Sequence, residues 1–284
     1  MNHCGTDKCY FLGCVKNCSI YIDKVFDNIR AVAGNFSDYK IVVFYDTSDD
    51  DSLEKLFRLK GTFSNLEIII NTEPTSPYRT YNIAHARNKL LEYMYADGDE
   101  SYQYFAMVDM DDIFSGKVFP DVLATYLMRD DWDALSFNRA FYYDTWAVSI
   151  DPYIYSCWHF GIQSIQYHVM ATIRAYMKTT LDAVPKDQLL TCYSAFNGFS
   201  IYRRSKFIGC AYDGNVVKTV ELIEATIGSQ HVLKNELFIG HKNTFYEDDQ
   251  VQDCEHRHFH FQAIKNNGAR IRVSPLTLMG EFTG

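Results

Sequence analysis

The sequence predicts an α/β fold, a sheet flanked by helices in a single continuous domain, on three observations. Strand-like and helix-like patterns alternate through the first 112 residues, in the order of a parallel sheet covered by helices. The strand-like runs are short and dominated by apolar and β-branched residues. No internal repeat, low-complexity tract or Gly/Ser-rich linker divides the 284 residues.

In chain order, residues 10–15 read as a first strand. A helix over 19–32 follows, because Ile22, Val25, Phe26 and Ile29 recur at helical spacing, and Gly34 ends it. Residues 40–45 make a second strand. Ser52 is placed to cap a helix over 53–60, with Asp49, Asp50 and Asp51 near its positive end. Residues 66–70 form a third strand, apolar or β-branched apart from Glu67. Pro74 and Pro77 break the chain, and residues 81–95 read as a helix with Ile83, Ala84, Leu90, Leu91 and Met94 facing inward. A fourth strand runs into Asp109. Beyond it the pattern is less regular: a helix over 118–128, a strand over 134–138 and an aromatic-rich stretch over 141–167. A further helix over 165–181 reads as a core or cover helix rather than a membrane anchor.

Composition narrows the function. With 47% apolar and 15% aromatic residues, the chain has ample material for a packed core. A formal charge of -9 and the lack of a basic cluster exclude a general nucleic-acid surface, because phosphate backbones are held by Lys and Arg patches. An anionic ligand then needs a metal ion or a few focused arginines. The N-terminus has no basic stretch leading into an apolar core, and no run of about eighteen apolar residues occurs. Neither secretion nor a membrane span is indicated, and the chain reads as soluble and cytoplasmic. Eight scattered cysteines fit reduced thiols. Cys4, Cys9, Cys14 and Cys18 crowd the start but form no Cys-x-x-Cys knuckle, so they read as core and surface thiols rather than structural zinc ligands.

The chemistry concentrates in five segments. In residues 105–113 an apolar run ends in Asp109, Asp111 and Asp112. In extended backbone Asp109 and Asp111 share a face, and like-facing carboxylates repel unless a cation joins them. Mg²⁺ or Mn²⁺ takes such oxygens and keeps positions open for phosphate, whereas a solvated turn or a helix cap is the plainer account. The polar turn over 45–52 offers acceptors for a base or ribose, or simply caps a helix. Arg87 and Asn88 sit on the third predicted helix, with Arg79 two turns earlier in a loop; a guanidinium suits phosphate but equally a salt bridge. Residues 194–204 set Gly198 inside an aromatic strand pattern, a sign of close backbone approach. In residues 253–261, His256, His258 and His260 share a face if extended, and His256 and His260 do if helical. One imidazole could then reach a metal, Asp253 or Glu255 could act as a base, and a surface histidine cluster is the alternative.

In this order the segments resemble the nucleotide-diphospho-sugar glycosyltransferases of the GT-A fold, especially family-2-like enzymes. Those carry a Val-Val-Asp-Asp-Gly-Ser-type turn, an Ala-Arg-Asn helix, an Asp-x-Asp-Asp strand end, a glycine-containing segment with Arg-Arg-Ser, and a late Glu-Asp. The counterparts here are residues 42–48; Ala86, Arg87 and Asn88; Asp109 to Asp112; residues 197–205; and Glu255 with His256. Tyr45 stands where the family turn is acidic, and His256 replaces the late acidic residue.

The resemblance implies a Rossmann-like mixed sheet and a metal-dependent transfer of a hexose from a UDP-sugar, or second a GDP-sugar, to a hydroxyl of a glycan or glycoprotein. Residues 1–112 would form the donor half and residues 113–284 the acceptor half. By the same resemblance Tyr45 and Asp46 lie by the nucleoside, Arg79, Arg87 and Asn88 by the nucleotide, and Asp109 by the ribose or metal. Asp111 is on Mn²⁺ or Mg²⁺, His256 is a metal ligand, and Glu255 or Asp253 is the base. A similar helix and acidic strand end occur in retaining mannosyltransferases, so the stereochemistry stays open, as does the oligomeric state. The Gln-x-x-Arg-Trp signature of processive synthases is absent, which favours single additions. Two rivals are a sugar nucleotidyltransferase, which lacks its Gly-rich loop here, and an inactive carbohydrate- or protein-binding module.

Overall fold

Eight strands form one mixed sheet in the order β3-β2-β1-β4-β7-β5-β8-β6 in the computed structural model, which describes residues 7–157, 163–228 and 252–280. The first half is built from β1 (Lys8–Val15), α1 (Ser19–Ala33), β2 (Asp38–Tyr45), α2 (Ser52–Lys60), β3 (Leu66–Ile70), α3 (Arg79–Ala96) and β4 (Tyr104–Asp109). β3, β2, β1 and β4 are all parallel. The second half contributes α4 (Pro120–Leu127), β5 (Ala134–Asn138), α5 (Gln163–Ala183), β6 (Leu190–Cys192), β7 (Phe199–Arg203), α6 (Val216–Ile227), α7 (Glu255–Asn267) and β8 (Ile271–Thr277). β7 runs antiparallel between β4 and β5, so both halves share one sheet. The chain is a single continuous α/β domain with a mixed, mostly parallel sheet flanked by helices, as the sequence predicts.

Alternation along the strands builds two cores, one on each face. Phe11, Ile41 and Val43 pack with Ile22, Val25 and Phe26 of α1 and Leu56 of α2. Tyr10, Leu12 and Val42 face the other way, against Ala84 and Leu90 of α3 and Phe259 and Ala263 of α7. α5 joins this second core through Ile173, Met177 and Leu181, four residues apart along one stripe, and so covers the sheet as expected. Among the described residues no helix is long and apolar enough to cross a membrane.

Local details correct the sequence reading. Ser52 is not the cap of α2 but its first residue, and its buried hydroxyl accepts the Cys18 N–H at 3.0 Å. The acidic residues lie at the start of α2 as expected, Asp51 at its N-cap position and Asp50 accepting the Ser52 N–H at 3.0 Å, and they also serve α1: Asp50 accepts the Ser19 N–H at 2.9 Å and Asp51 the Ser19 hydroxyl. Arg79 is not in a loop but opens α3. The seven described cysteines are free thiols, and Cys4 lies outside the described residues.

Candidate active site

The carboxyl ends of β1, β2 and β4, the loop before α3 and the first turns of α3 enclose a cleft of about 630 Å³. After β3 the chain crosses through α3 to the far side of β1, which puts the cleft at the β1/β4 switch point where open α/β sheets hold ligands. Asp46, Arg79, Arg87, Asp109 and Asp111 line it. Tyr45, Asn88, Asp253, Glu255 and His256 do not.

Asp109 ends β4 opposite Cys14 of β1. Its Oδ2 accepts the Tyr143 hydroxyl at 2.6 Å, and Arg87 Nη2 donates to Oδ1 at 3.4 Å. Asp111 remains extended, at φ -114° and ψ -159°, which preserves the two-residue relation to Asp109. Its Oδ1 accepts the Ile113 N–H at 3.0 Å and caps a 3₁₀ turn, Asp112–Phe114, so the capping account of this segment also holds. Burial pushes the Asp109 carboxyl up to about 6, against the opposing pull of Arg87 and the Tyr143 hydrogen bond. Burial, and then Asp109 itself, pushes Asp111 up to about 7.

Arg87 is the one cation in ion-pair contact with this acidic edge among the described residues, and most of it faces elsewhere. Its side chain is 8% exposed; Nη1 donates to Glu255 Oε1 and to His256 Nε2, while the guanidinium lies over the Phe196 and Tyr212 rings. The plainer expectation of a salt-bridged arginine is what the geometry displays, although one edge still reaches the cleft. Asn88 is taken up in two hydrogen bonds with the Tyr212 backbone, at 2.8 and 2.9 Å.

The segment carrying the histidines is helical, not extended, and it is not a surface cluster. His256, His258 and His260 are 1, 7 and 0% exposed. Burial, then Arg87, holds His256 well below the ordinary histidine range, so the ring is neutral and accepts from Arg87 through Nε2. Glu255 and Asp253 are buried and paired: Glu255 with Arg87, Asp253 Oδ1 with Arg257 Nε at 3.2 Å. Asp46 accepts from Lys16 at 2.8 Å and Asn71 at 3.0 Å; partial burial opposes ionisation, yet these donors hold its carboxyl below the usual range. Tyr45 is 7% exposed, and its hydroxyl accepts the Ser48 N–H at 3.1 Å, which shapes the turn.

Two residues that motif reasoning passes over, Tyr143 and Asp144, join the site. Tyr143 holds Asp109, Asp144 stands beside it, and Asn197 Oδ1 accepts both of their N–H groups, at 3.2 and 3.4 Å. The Asn197-Gly198 pair is the signal in sequence, since this dipeptide tolerates left-handed backbone and both residues adopt it, with φ 74° and 91°. Gly198 O accepts the Asp109 N–H at 3.0 Å, and a Cβ on Gly198 would lie 2.3 Å from Ile113 Cγ2. Gly198→Ala is therefore expected to cost about 2–4 kcal/mol, from backbone strain plus overpacking. A urea titration checks this; an unmoved midpoint contradicts it.

Among the described residues no group of three or more His, Cys, Asp or Glu side chains is arranged to hold a metal ion. The residues fit a narrower demand. Mg²⁺ and Mn²⁺ are commonly held by one or two carboxylates together with substrate phosphates and water, and Asp109 with Asp111 is such a pair.

No protein-family model and no curated protein matches the chain. Solved structures are similar in outline. A mannosyltransferase, PcManGT from Pyrobaculum calidifontis in complex with GDP-Man and Mn²⁺, is 13% identical with a TM-score of 0.48, over 98% of this chain and 59% of that one. S. aureus TarS 1-349 in complex with UDP-GlcNAc is 13% identical with a TM-score of 0.47, over 98% and 59%. Glucosyl-3-phosphoglycerate synthase from Mycobacterium tuberculosis, with Mn²⁺, UDP and phosphoglyceric acid, is 12% identical with a TM-score of 0.40, over 71% and 57%. The chain thus spans less than two thirds of the length of each.

Proposed function

We propose that the chain is a divalent-metal-dependent glycosyltransferase that moves a hexose from a UDP-sugar, with a GDP-sugar as the second candidate, to a hydroxyl of a glycan or glycoprotein. The observation that carries this reading is the Asp109–Asp111 pair at the switch-point cleft, two carboxylates whose proton affinity is raised first by burial and, at Asp111, next by the charge of Asp109. In this reading residues 1–112 hold the donor and residues 113–284 supply the acceptor side.

Asp46 and the turn after Tyr45 would border the nucleoside, Arg79 and the free edge of Arg87 the phosphates, and Asp109 and Asp111 would hold Mn²⁺ or Mg²⁺. The bound ion would supply positive charge to the departing diphosphate. Within the chain, Tyr143 and Arg87 orient Asp109, and the Ile113 N–H orients Asp111, so the carboxylates are fixed before the donor arrives. His256, neutral and turned to Arg87, would act through that arginine.

Protons and cations compete for the same oxygens, which gives this reading a pH signature. Asp109 and Asp111, pushed up to about 6 and about 7, are protonated in acid and ionised above neutrality. The rise in melting temperature on adding Mn²⁺ is therefore expected to be small at pH 5.5 and to grow through pH 7.5. A shift that is flat across this range contradicts the assignment.

The activity itself is tested by incubating the full chain and Mn²⁺ with UDP-glucose, UDP-GlcNAc or GDP-mannose and following release of the nucleoside diphosphate. Release from at least one donor, lost with EDTA, is the expected result. Metal-independent binding without turnover favours a carbohydrate-binding module, and pyrophosphate release from a nucleoside triphosphate and a sugar-1-phosphate favours a nucleotidyltransferase.

A further inference from the structure

We propose that Asp144, in the turn after β5, is the base that takes the proton from the incoming hydroxyl, in place of Glu255 or Asp253; the assignment rests on the transferase reading above. Its neighbour Tyr143 is bonded to Asp109 at 2.6 Å, which fixes this turn against the acidic end of β4. The Asp144 carboxylate lies within electrostatic reach of Asp109, Arg87 and Glu255. It stays partly exposed, whereas Glu255 and Asp253 are buried and ion-paired. Among the described residues Asp144 makes no ion-pair contact; its Oδ1 accepts the Ala147 N–H at 3.1 Å.

The turn is a built element. Asn197, fully buried and held at φ 74°, grips the Tyr143 and Asp144 N–H groups through Oδ1 and anchors itself by donating from Nδ2 to Phe137 O at 3.0 Å. A non-glycine residue kept in left-handed backbone, with every polar atom of its amide engaged, is a cost that a surrounding site over-determines. From below, Arg257 donates to Trp146 O at 2.5 Å and Val148 O at 2.6 Å, and Asp253 in turn orients Arg257. The late acidic segment thus acts as a floor under the turn, and Asp253 is a positioning residue. Burial pushes the Asp144 carboxyl up to about 6, close enough to neutrality for efficient proton abstraction.

In the step, the acceptor O–H bond breaks and its proton passes to Asp144. The acceptor oxygen forms a bond to the sugar C1 as the C1–O bond to the diphosphate breaks, and that electron pair leaves on the nucleoside diphosphate. Attack by a deprotonated hydroxyl opposite the leaving group inverts the anomeric centre.

The test uses the full chain with Mn²⁺ and UDP-α-glucose or GDP-α-mannose, water serving as acceptor. The Asp144→Asn variant is expected to lose roughly 10²–10⁴-fold in kcat, while its affinity for UDP or GDP, measured by calorimetry, stays within about two-fold, as expected for a proton-transfer group outside the donor cleft. Proton NMR within minutes of release is expected to show the β-sugar. A folded Asp144→Asn variant that turns over like wild type, or a released α-sugar, overturns the base assignment alone. Wild-type protein that turns over no donor overturns the transferase reading and this assignment together.

Discussion

Arg87→Met is expected to lower folding stability by about 3–5 kcal/mol, the cost of stranding buried charge after one member of an ion pair is removed. The arginine is 6% exposed, and its guanidinium joins Glu255 and His256 on α7 to Asp109 at the end of β4. Burial opposes its charge, yet Glu255 first, and Tyr212 and Asp109 after it, hold it firmly protonated. Without it the Glu255 carboxylate keeps its burial and loses its partner, and the Phe196 and Tyr212 rings lose the cation between them. Arg87→Lys rescues little, because a point charge cannot reach Glu255, His256 and Asp109 together. Adding Glu255→Gln to Arg87→Met is expected to recover part of the loss, since the stranded charge is then gone. Chemical denaturation of the three variants provides the check; a loss below about 1 kcal/mol for Arg87→Met means the pair is not the buried link described here.

Asp111→Asn is expected to weaken Mn²⁺-dependent nucleotide binding by at least about 100-fold, since even outer-shell partners of a metal ligand cost 10–100-fold when removed. The fold is expected to tolerate this change well. Asn keeps an oxygen for the Ile113 N–H, and removing a carboxylate pushed up to about 7 relieves repulsion with Asp109. Stability held or raised while metal-dependent binding disappears is the combination that separates a ligand from a structural cap. If nucleotide affinity is unchanged, Asp111 is a cap and no more.

The parts legible in sequence are those where local pattern and tertiary need coincide. β2, β3 and β5 are short apolar runs, and α1 shows its buried stripe of Ile22, Val25, Phe26 and Ile29 directly. β8 is concealed by Pro275, which the sheet accommodates at a register shift between Phe137 and Asn138 on β5. α6 carries a readable signal, Asn215 capping the Lys218 N–H ahead of Val216, Thr219 and Ile223, but it lies outside the segments with chemical motifs.

The site divides in the same way. Asp109 and Asp111 follow from strand periodicity over three residues. The partnership of Arg87 with Glu255 spans 168 residues and depends on how α7 docks on α3, which no local pattern encodes. The three histidines look polar in sequence, yet α7 buries them by pairing: His260 with Ser194 at 2.9 Å and Tyr202 at 3.2 Å, His258 with Gln262 at 3.0 Å.

The central claim is that the acidic end of β4 holds a divalent cation together with a diphosphate, and calorimetric titration of UDP and of GDP into the full chain tests it most directly. The expected result is binding of one nucleotide in the presence of Mn²⁺ at pH 7.5, loss of that binding with EDTA, and loss again in Asp111→Asn. Equal affinity with and without the metal, or no binding of either nucleotide, contradicts the account.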